Sequence, residues 1–373
     1  MGIWYYETKP LRPATHQLTL DDVLGGEIEN LSKYLPKDHW TSTRTDYKYA
    51  NANDFSGIPS TRPIYSWMAT FQHLIKDDMS EHYREFKIPK AKGGYRTIDD
   101  PDAALREAQT ALKKVLESYG ASYHTAAFAY VKGRCAKDAV EKHRQNGSNW
   151  CLRTDFSNFF GSITHEFLCK MVFSQWPFCA FSGEDQEKLK TALKICFLRG
   201  GLPQGSTISP MLTNLIMIPI DYTLANMFWK QDMVYSRYAD DIQVSAYRKF
   251  NYREVVEWID DVLKKFDTPF RIKPEKTKFS SVNGINYMLG LMLNNEHKIT
   301  VGHERKKAMK AMIANFFCDY KSGKRWPIEE VQHMNGIVSY YKHVEEAYIT
   351  YVVEKLENKF GLNYKETVKA CLS

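Results

Sequence analysis

The sequence predicts an α+β chain, and three patterns carry that expectation. β-prone runs meet across short turns at residues 83–98 and 234–246, apolar residues recur at helical spacing over 103–119 and 303–320, and a lone β-prone segment, Cys151 to Asp155, lies between the two hairpins. With 373 residues the chain can bury a large core divided into two or three subdomains.

Composition narrows the classes. The net charge of +7, from 51 Lys+Arg against 44 Asp+Glu, suits a polyanionic partner without requiring one. Aromatic residues, at 14%, serve core packing and base stacking alike. The seven cysteines show no C-x-x-C pair and no regular spacing, so neither a zinc site nor a disulfide framework is expected. No 18-residue apolar run occurs, the N-terminus lacks a signal-peptide pattern, and Tyr6 stands where a myristoylation motif has Ser or Thr. A cytoplasmic protein with no membrane partner is the expectation.

Taken in order, residues 1–64 form an irregular N-terminal extension broken by Pro10, Pro13, Pro36, Pro59 and Pro63, with one helix starting near Thr19 and another running from Ile64 to Leu74. Tyr83 to Ile98 predicts a strand, a Gly93-Gly94 turn and a second strand, studded with Arg84, Lys87, Lys90, Lys92 and Arg96. A solvated, aggregation-resistant edge and a flap that grips phosphate both fit. Leu105, Ala108, Leu112, Val115 and Leu116 predict a helix over 103–119. Ala126 to Arg134 predicts an apolar strand ending in a glycine turn, where Lys132 and Arg134 flank backbone able to approach a phosphate; solvated cations fit equally. A helix then begins near Cys135.

The acids carry the chemistry. Asp240 and Asp241 sit at the tip of the 234–246 hairpin, where their mutual repulsion would be relieved by a bridging divalent cation. Asp155 ends a buried strand, where an acid is costly unless a cation compensates it. The 85 residues from Asp155 to Asp240 leave room for a helical crossover that sets the strand beside the hairpin. Three carboxylates there would make a two-metal phosphoryl-transfer site. Between them, Gly200, Gly201, Pro203 and Gly205 make a constrained loop, and Ser209-Pro210 predicts an N-cap and first helical residue.

Ile88-Pro-Lys-Ala-Lys-Gly-Gly-Tyr-Arg-Thr-Ile98, Phe128-Ala-Tyr-Val-Lys-Gly-Arg134, Asp155-Phe-Ser-Asn-Phe-Phe160, Leu202-Pro-Gln-Gly205 with Ser209-Pro210, and Tyr238-Ala-Asp-Asp241 follow one another in an order that resembles bacterial reverse transcriptases. The resemblance spans roughly residues 80–345. It implies a right-hand polymerase with fingers at 65–150, a palm with an antiparallel sheet at 151–292 and a helical thumb at 293–373. It further implies two Mg2+ ions, with Mn2+ as a substitute, on Asp155, Asp240 and Asp241. Lys90 and Arg96 match cations that hold the dNTP, and Gln204 matches a glutamine supporting nucleotide and template. Lys276, with Lys278 as a competing choice, matches a lysine that protonates pyrophosphate. Phe160 falls where the family keeps an aromatic that blocks a ribose 2′-hydroxyl. Met288 and Gly290, in Tyr287-Met-Leu-Gly290, match the primer grip.

From Lys298 to Arg325 there are eight Lys or Arg against two Asp or Glu, and Arg305, Lys306, Lys307 and Lys310 gather early on the predicted 303–320 helix. A thumb lying along an RNA–DNA duplex fits this face. Trp326, Tyr340, Tyr341, Tyr348 and Tyr351, on the helices that follow, are expected mainly to pack. The chain ending after the thumb is expected to lack RNase H, integrase or nuclease domains. An Asn-Ala-x-x-His signature has no equivalent, and Met288-Leu-Gly290 replaces the Val-Thr-Gly of retron enzymes. The chain is therefore most similar to stand-alone defence-associated reverse transcriptases, which copy a noncoding RNA into cDNA and act with an effector protein. A retron enzyme, or a template-independent or protein-primed polymerase, is the alternative. A noncatalytic RNA-binding module would lack one of the acids, and a nuclease would need no dNTP-gripping hairpin. Phe160→Ala is expected to admit rNTPs, read as a fall in the dNTP-over-rNTP ratio of kcat/KM; an unchanged ratio would remove Phe160 from this role.

Overall fold

The computed structural model describes residues 59–89, 93–281, 287–294 and 296–372. The expected helix near Thr19, together with Lys90 and Lys92, lies outside them. Helix α1 (Arg62–Phe71) has Pro63 in its first turn, where no amide is missed, and buries Ile64 and Trp67. Strands β1 (Tyr83–Pro89) and β2 (Tyr95–Pro101) form an antiparallel ribbon in which Pro89 faces Tyr95. Gly93 and Gly94 turn its end at φ +89° and +78°, a region that glycine enters without steric cost. Helix α2 (Ala103–Ser118) is capped by Asp102, whose carboxylate accepts the Leu105 amide at 2.8 Å.

Residues 126–134 do not form the expected strand. They touch the sheet through one bridge, in which Phe128 donates to the Arg237 carbonyl at 2.9 Å and Arg237 donates to that of Ala126 at 2.8 Å. Tyr130, at φ +59°, then turns the chain out of extended geometry. Helix α3 (Ala136–Gln145) follows, with the Asp138 carboxylate accepting the Cys135 amide at 2.7 Å.

Strand β3 (Trp150–Asp155) leads into a crossover of α4 (His165–Phe173), α5 (Gly183–Leu193) and α6 (Ser209–Lys230). The crossover returns to the hairpin β4 (Met233–Tyr238) and β5 (Asp241–Ala246), and α7 (Tyr252–Lys265) and β6 (Lys278–Ser281) complete the unit. The sheet order is β4-β5-β3-β6, antiparallel throughout. Helix α6 is apolar on all sides because it runs through the core. Ser209 is not the expected cap: the helix starts on it, and its hydroxyl is buried with no hydrogen-bond partner.

A meander of β7 (Tyr287–Met288), β8 (Leu291–Leu293) and β9 (Ile299–Thr300) precedes four helices, α8 (His303–Lys321), α9 (Ile328–Val344), α10 (Glu346–Phe360) and α11 (Tyr364–Leu372). One continuous core joins α1, α2, β3 and the crossover helices, from Ile64 to Phe270. A second core, around Ile313, Phe316, Met334 and Ile349, fills the C-terminal helices. A smaller cluster, with Val140, Cys151, Met288 and Val344, lies between α3, β3, the meander and α9. The expected packing holds for Trp326 and Tyr341. Tyr340, Tyr348 and Tyr351 are instead exposed, with Lys306 over the Tyr348 ring at 4.3 Å. No helix among the described residues is long and apolar enough to cross a membrane.

Helix α3 is pinned to the hairpin by a histidine. His143 is fully buried, with its ring nitrogens 2.6 Å from the Ser245 hydroxyl and 2.7 Å from that of Ser236. Burial pushes its pKa down to about 3, so the folded protein keeps the ring neutral. The unfolded chain takes up a proton near pH 6.5 that the native state refuses, so this contribution is present above that pH and is lost as pH falls towards 3. His143→Gln removes the titration. Urea unfolding of both proteins should show the wild-type advantage shrinking by about 2 kcal/mol between pH 7.5 and 5; a constant difference would mean that His143 titrates normally.

Candidate active site

The pairing of β3 with β5 sets Asp155 opposite Asp241, and β4 sets Tyr238 opposite Asp241 from the other side. Ala239 and Asp240 form the hairpin tip, so the acidic pair straddles its edge: Asp240 lies in the turn and Asp241 begins β5. The Phe156 amide donates to the Asp240 carbonyl at 3.2 Å, tying the end of β3 to the turn. The three acids are thereby neighbours. Burial, then the Asp155 charge, raises the Asp240 pKa; burial, then Asp240 and Asp155, pushes Asp241 up to about 6. Asp155 is held differently. Its two carboxylate oxygens accept from Lys273 Nζ at 2.9 Å and Lys276 Nζ at 2.6 Å. Burial works against the Lys276 charge, but Asp155 outweighs it and holds that ammonium above its usual pKa. Lys278 is exposed and faces Arg153 on β3, so of the two competing lysines Lys276 is the one beside an acid. Lys273 was not singled out by sequence; its position just before Pro274 gave only a turn signal.

The turn rests on a buried ion pair. Arg237, 1% exposed, bonds the Asp221 carboxylate of α6 through Nη2 at 2.7 Å and Nε at 2.9 Å. Its Nη2 also donates to Asn214 Oδ1 at 3.1 Å, and the Tyr235 hydroxyl donates to Asp221 at 2.8 Å. The remaining guanidinium nitrogen, Nη1, donates to the Ala239 carbonyl at 3.0 Å. Ala239 sits at φ +57°, a conformation that costs an alanine energy, and Arg237 holds it there. The detectable sequence signal was one Asp in the apolar run of α6.

The β1–β2 ribbon is seated on the loop after Leu198. The Asp99 amide donates to the Gln204 carbonyl at 2.7 Å, and Arg199 reaches Glu85 at 3.2 Å and Asp99 at 3.5 Å. Gly205 allows this approach, since a Cβ there would lie 2.5 Å from the Asp99 carbonyl oxygen. Arg96 is exposed on β2. Phe160 is partly buried, its carbonyl accepting the Leu202 amide at 3.1 Å. Tyr130 was missed in the sequence, where it read as part of a strand. Its ring is 57% exposed, and burial of the phenol, then the charges of Asp240 and Tyr238, raises its pKa while Arg96 opposes them. Its phenol thus feels both Asp240 and Arg96.

Residues 88–304 match the family model described as "Reverse transcriptase (RNA-dependent DNA polymerase)". The chain belongs to the reverse transcriptase family. It is an RNA-directed DNA polymerase with an α+β right-hand fold, and its template partner is RNA. The retron Ec83 reverse transcriptase of Escherichia coli is 29% identical over 312 residues, covering 80% of this chain and 93% of that protein. The retron Ec86 reverse transcriptase of the same species is 29% identical over 299 residues, covering 75% and 83%. A telomerase from Candida tropicalis, solved with a fragment of telomeric RNA, superposes with a TM-score of 0.44 at 12% identity, covering 78% of this chain and 57% of that one.

In this reverse transcriptase the remaining expected nucleic-acid residues divide by accessibility. Lys132, Lys307 and Lys310 are exposed. Arg134 is half-buried and spends Nη1 on the carbonyls of His124 and Ala127, both at 2.6 Å. Lys306 is bonded to Glu345 at 2.6 Å. Arg305 donates to the Gly290 carbonyl at the β7–β8 turn. The expectation that Met288 contacts primer fails for its side chain, which is fully buried with Val140, Cys151 and Val301. Its place in a two-residue β-strand points it inward, leaving the turn at Leu289 and Gly290 as the outward part.

Hard carboxylate oxygens suit Mg2+ or Mn2+, and the crowding of Asp240, Asp241 and Asp155 is a repulsion that a divalent cation relieves. Among the described residues no group of three or more His, Cys, Asp or Glu side chains is arranged to hold a metal ion. Both Asp155 oxygens face lysine ammonium groups instead. The donor set fits, provided that Lys273 and Lys276 give way at Asp155.

Arg237→Leu strands the Asp221 carboxylate in the core and should cost the reverse transcriptase about 3–5 kcal/mol in urea unfolding. Adding Asp221→Asn removes that charge and leaves an acceptor for Tyr235, so more than half of the stability should return. Primer extension should stay low in the double variant because the Ala239 turn has lost its donor; recovery of both together would overturn the link to the turn.

Proposed function

We propose that this reverse transcriptase copies a dedicated noncoding RNA into complementary DNA in the cytoplasm, as part of antiphage defence. The observation that carries the reading is the convergence of Asp155, Asp240 and Asp241 across the β3–β5 pairing and the β4–β5 turn. In this reading residues 1–64 are an extension, 65–150 fingers, 151–292 palm and 293–373 thumb. Asp155, Asp240 and Asp241 hold two Mg2+ ions, for which Mn2+ can substitute. Such ions, when bound, stabilise charge on the attacking and leaving oxygens.

The chain's own residues bind and orient. Arg96 and Lys90 take the triphosphate, the fork of Arg96 adding direction to charge. Gln204 supports the nucleotide from a loop already bonded to β2. The Phe160 ring fills the space of a 2′-hydroxyl and so selects dNTPs by steric exclusion. Lys276, an ammonium next to the acids, would carry the proton that departing pyrophosphate requires. Exposed Lys132, Lys307 and Lys310, with Arg305 at the Gly290 turn, line the path of the RNA–DNA duplex, whose product acts with an effector protein.

A second reading, a retron enzyme whose DNA is linked to its RNA, is favoured by the two retron reverse transcriptases that match most of the chain. One experiment addresses both. The wild type and an Asp240→Ala/Asp241→Ala variant are purified from cells carrying the native locus, with and without phage, and the co-purifying nucleic acids are sequenced. One discrete RNA in both proteins, with its complementary DNA in the wild type alone, is expected. DNA that shifts in size on ribonuclease treatment would identify the retron form. DNA in both proteins would overturn the role of the two acids, and an unselective RNA population would overturn the dedicated template.

A further inference from the structure

Phe160 can exclude a hydroxyl group only if its backbone is fixed to within a fraction of an ångström, and the structure shows what fixes it. Leu198 and Gly201 exchange two backbone hydrogen bonds, of 2.9 and 3.1 Å, around Arg199 and Gly200. Both central residues have positive φ, +51° and +81°, the pattern of a two-residue type I′ turn. The turn delivers Gly201 onto the residue after Phe160. A Cβ built on Gly201 would lie 2.3 Å from the Gly161 carbonyl oxygen and 2.8 Å from its carbonyl carbon and Cα. These are backbone atoms with no side chain to swing aside. The next residue, Leu202, donates its amide to the Phe160 carbonyl at 3.1 Å, so the same short segment both presses on and holds the 160–161 peptide.

The peptide is also held from its other side. Asn158 stands at φ +45°, and its carbonyl accepts the Ser162 amide at 2.9 Å, while the Phe160 carbonyl accepts the Ile163 amide at 3.2 Å. A Cβ on Gly161 would lie 2.6 Å from Asn158 Oδ1. Phe160 therefore has no slack into which extra volume at Gly201 could be absorbed. Gly200 provides the contrast, since a Cβ there would meet nothing within 4 Å.

We propose that Gly201 is a positioning residue for nucleotide selection: its backbone contact with Gly161 sets the Phe160 ring, and through it the preference for deoxyribonucleoside over ribonucleoside triphosphates. This rests on the reading of Phe160 as the sugar-excluding residue. Arg199, at the tip of the same turn, reaches Glu85 and Asp99 of the ribbon, so the Phe160 backbone and the triphosphate-gripping strand share one support.

The test is the ratio of kcat/KM for dNTP over rNTP in primer extension, which cancels differences in folded fraction. Gly201→Ala should lower the ratio by about tenfold, since a displacement of under an ångström at a tightly fitted site has effects of this size. Gly200→Asn, which keeps a residue tolerant of positive φ and adds nothing near Gly161, should leave it unchanged. In a Phe160→Ala background Gly201→Ala should have no further effect, because it acts through the missing ring. If Phe160→Ala lowers the ratio while Gly201→Ala does not, or if the two effects multiply, the inference is overturned and the role of Phe160 stands. If Phe160→Ala itself changes nothing, that role fails, and Gly201 falls with it. Should Gly201→Ala yield no folded protein, Leu202→Pro, which removes the amide that the Phe160 carbonyl accepts from the same segment, should also lower the ratio; an unchanged ratio there would overturn the proposal.

Discussion

A single buried ion pair holds the acidic turn of this reverse transcriptase. Arg237 and Asp221 are both almost fully buried, and charges there are tolerable only when geometry is good and every polar atom is used. Here they are used. The guanidinium spends its nitrogens on Asp221, Asn214 and the Ala239 carbonyl, and Tyr235 completes the carboxylate. The pair therefore couples the long core helix α6 to the strand that carries the acidic turn. It also supports the left-handed Ala239, a local cost that hydrogen bonding from the core offsets.

Around that frame the three acids carry unequal burdens. Asp155, at the end of a central strand, is already neutralised by Lys273 and Lys276. Asp240 and Asp241 lie at the rim with raised pKa values, because burial, then Asp155 for the first and Asp240 and Asp155 for the second, outweigh the nearby cations. The negative charge of the trio is therefore compensated at Asp155 and left crowded at the turn.

Much of this was legible in the chain, for identifiable reasons. The strand ending at Asp155 and the hairpin at Asp240-Asp241 follow from local alternation, and their pairing from the helical crossover between them. The ribbon of 83–98 and the helix from His303 were equally local signals. What escaped depended on distant partners. Residues 126–134 were apolar enough for a strand, but their hydrogen bonds go to Arg237 of β4, to Asn214 of α6, to His124 and to Arg134 rather than to a continuous ladder. Ser209 has the chemistry of a cap, yet it is the first helical residue after Ile208, and its hydroxyl is buried without a partner. Met288 lies in a motif associated with primer, while the small cluster around Val140 claims its side chain. Tyr130 needed both its backbone twist and its neighbours to be known.

The continuous core has a mechanical corollary. Helix α2, at the base of the proposed fingers, contributes Leu105, Ala108, Leu112 and Leu116 to the same packed interior as β3 and α6. Such interiors resist shear, so that helix cannot swing as a separate body without opening apolar surface to water. The β1–β2 ribbon has no such anchorage: apart from Pro101 its side chains are exposed or half-covered, and only its base is tied down. Any flexing of the ribbon would therefore pivot on its base, as a two-stranded blade on a packed mount. Compliance is left to the ribbon and withheld from the strand that ends at Asp155, whose Leu152 lies in the packed interior.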